Sequence, residues 1–216
     1  MAFTLRSADP SFAEAMRWHL DPFRLTRREP HMFPLDLFIE EEDREKSPPP
    51  YSLFVATSFE FSHPSLIDVL QHALWAINRA VQTRVRDYVL LHAGAVARDG
   101  KVVLLPAAME SGKSSLVLAL LQQGFEYLSD EFGAIDPVTG NAFPVAKRVS
   151  LGWHSLSLFP GLEERLTDRS GLNSSVPMRF VRPEDVGSTE GAGGEVAWLV
   201  FPTPVFEGPA RLVSMT

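Results

Sequence analysis

The sequence feature that most constrains the fold is an apolar run that leads into Gly-Lys-Ser and then into a second apolar run. Residues 102–105 (Val-Val-Leu-Leu) predict a short buried strand, and residues 115–121 predict a helix that Gly124 ends. In such a strand–loop–helix unit, the backbone N–H groups of the loop and of the first helical turn point towards one spot, which suits an oligophosphate. The segment therefore predicts a phosphate-binding loop.

Two side chains of this loop have defined chemistry. Lys113 can reach the β- and γ-oxygens of a nucleotide, and the Ser114 hydroxyl can ligate Mg²⁺. Ala107 stands at the first glycine position of the motif, and Glu110 brings a negative charge close to the anion, so its carboxylate either points to solvent or weakens nucleotide binding. An ordinary strand-to-helix turn is the alternative. The candidate cofactor-binding residues are Ala108, Met109, Glu110, Ser111, Gly112, Lys113, Ser114 and Ser115.

Composition and charge exclude several classes of protein. A chain of 216 residues suffices for one large domain, or for a large domain with a small one attached. The formal net charge is −7 and no stripe of Lys and Arg occurs, so we expect no nucleic-acid partner. There is no cysteine, which excludes disulfides and thiolate metal sites. No apolar run approaches the ~18 residues of a membrane span and no apolar signal region occurs, so we expect a cytoplasmic protein without a membrane partner.

The chain divides into two regions of different character. Residues 1–86 predict a separate α+β module, and residues 87–216 predict the nucleotide-binding core. The expected elements of the module are a helix over 11–20, strands over 35–39 and 51–56, and a helix over 64–86 that bridges into the core. Within the core, residues 167–194 are rich in Ser, Gly, Pro and charged residues, and this composition predicts a mobile loop.

A hairpin signal precedes the loop strand. Asp99-Gly100 separates two apolar runs, which predicts that the strand entering the phosphate-binding loop has an antiparallel neighbour directly before it. The common nucleotide hydrolases enter this loop from an all-parallel sheet, so the chain belongs to another α/β (α+β) class with a mixed sheet. His92 lies on the neighbouring strand, either as a core histidine or as a functional residue close to the loop.

Carboxylates and cations follow the loop helix. Asp130 and Glu131 end an apolar run, where they are candidates to hold Mg²⁺ and to orient or deprotonate an attacking hydroxyl. Alternation along a strand would point these neighbours to opposite faces unless the strand breaks there. Lys147 and Arg148 follow the next short strand, either as cations for a transferred phosphoryl group or as ordinary surface residues. The candidate catalytic residues are His92, Asp130, Glu131, Lys147 and Arg148, and the candidate metal ligands are Ser114, Asp130 and Glu131.

These motifs resemble, in order and spacing, the HPr kinase/phosphorylase family, and especially its smaller, diverged branch of HPr kinase-related proteins. The residues that carry the resemblance are His92-x-Gly94, the Asp99-Gly100 hairpin, Gly112-Lys113-Ser114 and Leu128-Ser129-Asp130-Glu131, within residues 88–160. The resemblance implies a fold shared with the nucleotide core of phosphoenolpyruvate carboxykinase, in which a P-loop is set in a mixed sheet. It also implies C-terminal helices after the core.

The resemblance further implies an activity. The family phosphorylates a seryl hydroxyl with Mg²⁺ and ATP, with His92 near the phosphates, Asp130 matching the first acidic residue after the loop helix and Glu131 replacing a second aspartate. We therefore expect a kinase that acts on a serine of a peptide or small protein. Whether the chain forms a homo-oligomer is left open. The alternatives are a nucleotide-sensing or peptide-binding module that has lost catalysis, and a kinase for a small metabolite.

Overall fold

The computed structural model describes residues 2–7, 9–23, 34–41, 51–108, 111–145, 147–166, 178–205 and 208–215. The first elements form a four-stranded sheet with two helices. In chain order these are β1 (Ala2–Ser7), α1 (Pro10–Leu20), β2 (Pro34–Glu41), β3 (Tyr51–Val55), β4 (Ser58–His63) and α2 (Leu66–Arg84). Strand β1 pairs with β2 in parallel, whereas β2–β3 and β3–β4 are antiparallel. The predicted helices and both predicted strands of this region are confirmed, while β1 and β4 were not predicted.

A shared apolar core explains why α1 and α2 form. The Asp9 side chain caps α1 by accepting the Phe12 N–H at 3.0 Å, and Pro10 occupies the first turn, where its missing N–H is harmless. Phe12 and Met16 are buried against Val69 and Leu70 of α2. The apolar stripe predicted for residues 64–86 is therefore core packing.

The later elements build a second sheet around one helix. They are β5 (Val89–Arg98), β6 (Lys101–Pro106), α3 (Lys113–Gln122), β7 (Glu126–Ser129), β8 (Phe132–Ile135), β9 (Asn141–Phe143), β10 (Val149–Gly152), α4 (Leu162–Arg165), β11 (Met178–Val181) and β12 (Gly194–Leu199). Short 3₁₀ helices cover Asp21–Phe23, Trp153–Leu158 and Pro183–Val186.

The predicted mixed sheet is confirmed. Strand β6 pairs antiparallel with β5 on one side and parallel with β12 on the other. The pairings β12–β9, β9–β8 and β8–β5 then return to β5, so five strands form a closed ring to which β7 is added along β5. The chain is thus a mixed α+β protein. The ring closure was not predicted, because it depends on the pairing of β12 with β6, about 90 residues apart.

The hairpin predicted at Asp99-Gly100 is confirmed. Both residues have positive φ values, 52° and 72°, and Arg98 faces Lys101 in the β5–β6 register. This two-residue connection with left-handed backbone at both positions matches the twist of the flanking strands. Gly124 has a φ of 86° just beyond α3, as expected for the residue that ends a helix.

One loop prediction is wrong in part. Residues 178–186 lie within the segment predicted as a mobile loop, yet they form β11 and a 3₁₀ helix, and β11 pairs antiparallel with β10. The reason is burial, since Val181 and Val186 pack in the core cluster that also contains Val117 of α3. Residues 167–177 lie outside the described residues.

Two observations concern the helices of the described residues. None of those in the described part of the chain combines the length and apolarity that crossing a bilayer needs. After β12, the described residues 200–205 and 208–215 contain no helix.

Candidate functional site

The predicted strand–loop–helix unit is formed by β6 and α3. Helix α3 starts at Lys113, and its N-cap residue Gly112 has a φ of 81°, a left-handed conformation that favours glycine. The first N–H groups of a helix have no intrahelical partner, so this end of α3 can receive an anion. Met109 and Glu110 lie outside the described residues, so the two alternatives for the Glu110 carboxylate stay predictions.

Lys113 is held by His92. Its ammonium lies 2.9 Å from His92 Nε2 and 3.4 Å from the Ala107 carbonyl oxygen. Because an ammonium only donates, His92 Nε2 is the acceptor and the imidazole proton is on Nδ1. That Nδ1 lies 3.5 Å from Glu131 Oε1. Burial lowers the pKa of Lys113 below its usual range, although the carboxylates of Glu131 and Asp130 act in the opposite direction.

Gly94 explains how His92 and Lys113 come together. His92 and Gly94 are two residues apart on β5 and therefore face the same side of the sheet. A Cβ atom at Gly94 would lie 2.7 Å from Val117 Cγ2 and 3.2 Å from Lys113 Cγ. Glycine at this position thus allows α3 to pack directly on β5, which gives the His-x-Gly pattern a structural reason.

The chain leaves strand geometry at Asp130 and Glu131, between the end of β7 at Ser129 and the start of β8 at Phe132. Ser129 Oγ accepts the N–H groups of Glu131 at 3.1 Å and Phe132 at 3.0 Å, and this local bonding separates β7 from β8. The Ala93 N–H donates to the Glu131 carbonyl oxygen at 3.1 Å, which fixes the break beside β5. Both carboxylates therefore reach the same side of the sheet.

Asp130 is almost fully buried, at 3% exposure, and accepts several hydrogen bonds. Its Oδ2 accepts the Ser150 N–H at 2.9 Å and the Ser114 hydroxyl at 3.4 Å, while its Oδ1 accepts the Tyr127 hydroxyl at 3.3 Å. Burial together with the Asp130 charge raises the pKa of Tyr127, which therefore stays a hydrogen-bond donor.

Lys147 bridges the two carboxylates. Its ammonium lies 3.1 Å from Asp130 Oδ1 and 3.7 Å from Glu131 Oε2. Burial acts against the charge of Lys147, but the attraction of Asp130 and Glu131 outweighs it and raises the pKa of Lys147. Lys147 is therefore a fully charged, largely buried cation inside the candidate site.

These contacts close into a ring of six side chains, which we call the site ring. Its members, in order of contact, are Lys113, His92, Glu131, Lys147, Asp130 and Ser114. The ring is closed through the backbone, because Ser114 directly follows Lys113 in the sequence. Two lysines balance two carboxylates, so the ring is electrically neutral when His92 is neutral. The structure thus brings together every candidate catalytic residue except Arg148.

Arg148 contacts a different part of the molecule. Its Nε donates to the Trp18 carbonyl oxygen at 3.0 Å, and its guanidinium carbon lies 5.2 Å from the centre of the Trp18 ring. This cation–π contact and hydrogen bond attach α1 to the core. The sequence could not separate Arg148 from Lys147, because the two cations are adjacent and Trp18 is 130 residues away.

Three residues of the site were missed from sequence. Tyr127 and Ser150 bond to Asp130, and Ser129 shapes the strand break. A serine directly before two acidic residues is a recognisable signal for a local turn. The bond from the Ser150 N–H has no sequence signal, because it depends on where β10 packs.

The residues present fit Mg²⁺ and a nucleotide phosphate. Ser114 Oγ and Asp130 Oδ2 are oxygen donors close enough to share one cation, as Mg²⁺ prefers. Within the described ranges, no group of three or more His, Asp or Glu side chains is arranged to hold a metal ion. Mg²⁺ usually combines one or two protein oxygens with water and substrate phosphates, so this sparse donor set suits it.

The loop itself also has an unsatisfied polar atom. Ser111 Oγ is buried and has no hydrogen-bond partner among the described residues. A buried hydroxyl without a partner is costly, so an acceptor from a bound ligand would stabilise this part of the loop. Of the other candidate binding residues, Ser115 is partly buried and Ala108 is exposed.

The chain was compared with known proteins in three ways. Neither a protein-family model, nor a curated protein, nor a solved structure matches it. The interpretation of the site therefore rests on its own geometry and on the sequence motifs.

Proposed function

We propose that this chain is a Mg²⁺-ATP-dependent kinase that transfers the γ-phosphate to a hydroxyl, with a serine of a peptide or small protein as the acceptor. The observation that carries the proposal is the site ring, which places a buried lysine, a hydroxyl and two carboxylates at the N-terminus of α3. These are the groups that phosphoryl transfer requires, because catalysis there is mainly positioning and charge neutralisation. The serine acceptor follows from the sequence resemblance.

The geometry supports a binding role for four groups. Lys113 and the first amides of α3 bind the phosphates, and Ser114 with Asp130 holds the metal. Mg²⁺, when bound, neutralises charge on the phosphate oxygens. His92 holds the Lys113 ammonium at 2.9 Å, so it positions the cation rather than touching the reacting atoms.

The two carboxylates differ in their suitability as a base. Asp130 already accepts hydrogen bonds from Ser150, Ser114 and Tyr127, which hold its carboxylate in place and occupy its oxygens. Glu131 has a more exposed side chain, at 28%, and a weaker set of contacts. We therefore assign Asp130 to hold the metal and Glu131 to accept the proton that the hydroxyl loses. The hydroxyl oxygen then bonds to the γ-phosphorus, while the bond from this phosphorus to the bridging oxygen of the β-phosphate breaks and ADP leaves.

Calorimetric titration of Mg²⁺-ATP tests the proposal. The wild type is expected to bind in the micromolar range, and Lys113→Ala to lose about tenfold or more in affinity, because it removes the cation that faces the phosphates. Lys101→Ala is the matched control, since Lys101 pairs with Glu195 on the exposed surface. A wild type that binds no Mg²⁺-ATP would contradict the kinase proposal.

One observation favours a second candidate function, a nucleotide-sensing module. Each charged member of the site ring already has a protein partner, so the ring is stable without a ligand. A binding module would take up the nucleotide without transferring phosphate. The two functions differ in whether phosphate leaves ATP for an acceptor, which measurement of ADP in the presence of serine peptides decides.

A further inference from the structure

The position of Lys147 has a consequence for metal binding. Its ammonium contacts Asp130 Oδ1 at 3.1 Å and Glu131 Oε2 at 3.7 Å, and its side chain is only 15% exposed. In the absence of a nucleotide, two adjacent carboxylates are the ligands that a bare divalent cation would take here. A cation of the protein therefore already occupies the space between them.

Charge balance decides when this cation can be replaced. The site ring contains two ammonium groups and two carboxylates, so their charges cancel when His92 is neutral. A divalent cation that enters alone brings two positive charges beside Lys147 and Lys113, and in a largely buried site this repulsion is strong. A divalent cation that enters with a nucleoside triphosphate brings a net negative charge, which both lysines can neutralise.

The backbone around Lys147 favours movement of the side chain alone. Its neighbour Arg148 is 9% exposed and is held by the Trp18 carbonyl oxygen and the Trp18 ring. The Ser150 N–H is bonded to Asp130 Oδ2 at 2.9 Å. With the Arg148 side chain and the Ser150 backbone held, the flexible four-carbon chain of Lys147 can carry its ammonium from the carboxylates to a nearby phosphate.

We propose that Lys147 is a built-in counter-ion that prevents Asp130 and Glu131 from binding a divalent cation until the cation arrives with a nucleotide. This inference rests on the proposed function for the identity of the ligand. Lys147 thereby sets the order of loading: the metal enters as a metal–nucleotide complex, and the released ammonium binds the triphosphate. The role of Lys147 is to select what the carboxylates bind.

Binding of Mn²⁺ without nucleotide tests the inference. Free Mn²⁺ is followed by electron paramagnetic resonance in the wild type and in Lys147→Met, Lys147→Arg and the surface control Lys101→Met. Lys147→Met is expected to bind Mn²⁺ about tenfold more tightly or better, because it removes the cation that contacts the Asp130 and Glu131 oxygens and repels a divalent cation. Lys147→Arg retains the cation and is expected to bind as weakly as the wild type, as is the control.

Two results would overturn the inference. One is equal Mn²⁺ affinity in the wild type and Lys147→Met. The other concerns folding, because removing Lys147 leaves Asp130 buried without its cation. If Lys147→Met is unfolded on its own, millimolar Mg²⁺ should restore its circular dichroism spectrum, and a spectrum that stays unfolded would refute the counter-ion role.

The outcome is separable from that of the kinase proposal, since no nucleotide is present. Tighter Mn²⁺ binding in Lys147→Met supports the counter-ion role even if the wild type fails to bind Mg²⁺-ATP. Conversely, a wild type that binds Mg²⁺-ATP while both proteins bind Mn²⁺ equally retains the kinase proposal and refutes the role of Lys147.

Discussion

Replacing Gly94 by alanine places a methyl group into the contact between β5 and α3. The new Cβ would lie 2.7 Å from Val117 Cγ2 and 3.2 Å from Lys113 Cγ. Carbon atoms normally pack about 3.5–4.0 Å apart, so α3 or Val117 must move by about 1 Å. Because Val117 is fully buried, little free space is available for this movement.

The expected loss of stability follows from this overlap. Inserting a methyl group into a packed core costs about 1–3 kcal/mol, and the lower chain entropy of unfolded alanine returns about 0.4–1 kcal/mol. We expect a net loss of about 1–2 kcal/mol. For a protein of this size, that corresponds to a decrease in the melting temperature of about 2–8 °C. Displacement of α3 should also separate Lys113 from His92 and weaken nucleotide binding.

Thermal and urea denaturation measure this loss, with two comparisons. Gly152→Ala is the matched control, because Gly152 has a φ of −61° and no atom within 4 Å of an added Cβ. In a Val117→Ala background, where Cγ2 is absent, Gly94→Ala should cost about 1 kcal/mol less than in the wild type. If Gly94→Ala is as stable as Gly152→Ala, or if Val117→Ala gives no relief, the packing argument is refuted.

Two further predictions concern a buried histidine and a buried carboxylate. His19 is buried, and this burial, together with the charges of Arg148 and Lys147, lowers its pKa to about 3. As the pH falls below 6.5, His19 therefore takes up a proton in the unfolded chain but not in the folded state. The free energy of unfolding should therefore fall by about 1.4 kcal/mol per pH unit below 6.5 from this group alone. Between pH 7 and pH 5 the urea midpoint should decrease less in His19→Phe than in the wild type. Equal decreases in the two proteins would contradict this. Because Asp130 holds the metal, Asp130→Asn should weaken Mg²⁺-ATP binding by no more than about tenfold and lower phosphoryl transfer, measured as ADP release with serine peptides, by about 10²–10³-fold. The exposed Asp87→Asn should match the wild type. Transfer that survives Asp130→Asn would remove Asp130 from the site.

Local sequence signals predicted the elements that depend on local physics. The Asp99-Gly100 turn, the end of α3 at Gly124 and the apolar stripe of α2 are all properties of a few neighbouring residues. Strands β10 and β11 were missed because each has only four residues and gains its stability from the other, about 30 positions away. Their burial against α3 is a tertiary property that composition does not reveal.

The candidate site was predictable in its members but not in its connections. His92, Lys113 and Asp130 carry motifs, and the register of β5 with β8 brings His92 beside Phe132, next to the carboxylates. The contact of Lys147 with Asp130 depends on the path of the chain after β9, so Lys147 and Arg148 could not be distinguished from the sequence. Electrostatic partners over such separations are set by the whole fold.

The central claim is that the N-terminus of α3, with Lys113 buried beside His92, binds the phosphates of Mg²⁺-ATP. Calorimetry of Mg²⁺-ATP binding to the wild type and Lys113→Ala tests it most directly. The account predicts micromolar binding to the wild type, weakened about tenfold or more in Lys113→Ala and unchanged in Lys101→Ala. Absence of binding to the wild type, or equal binding to Lys113→Ala, would contradict it.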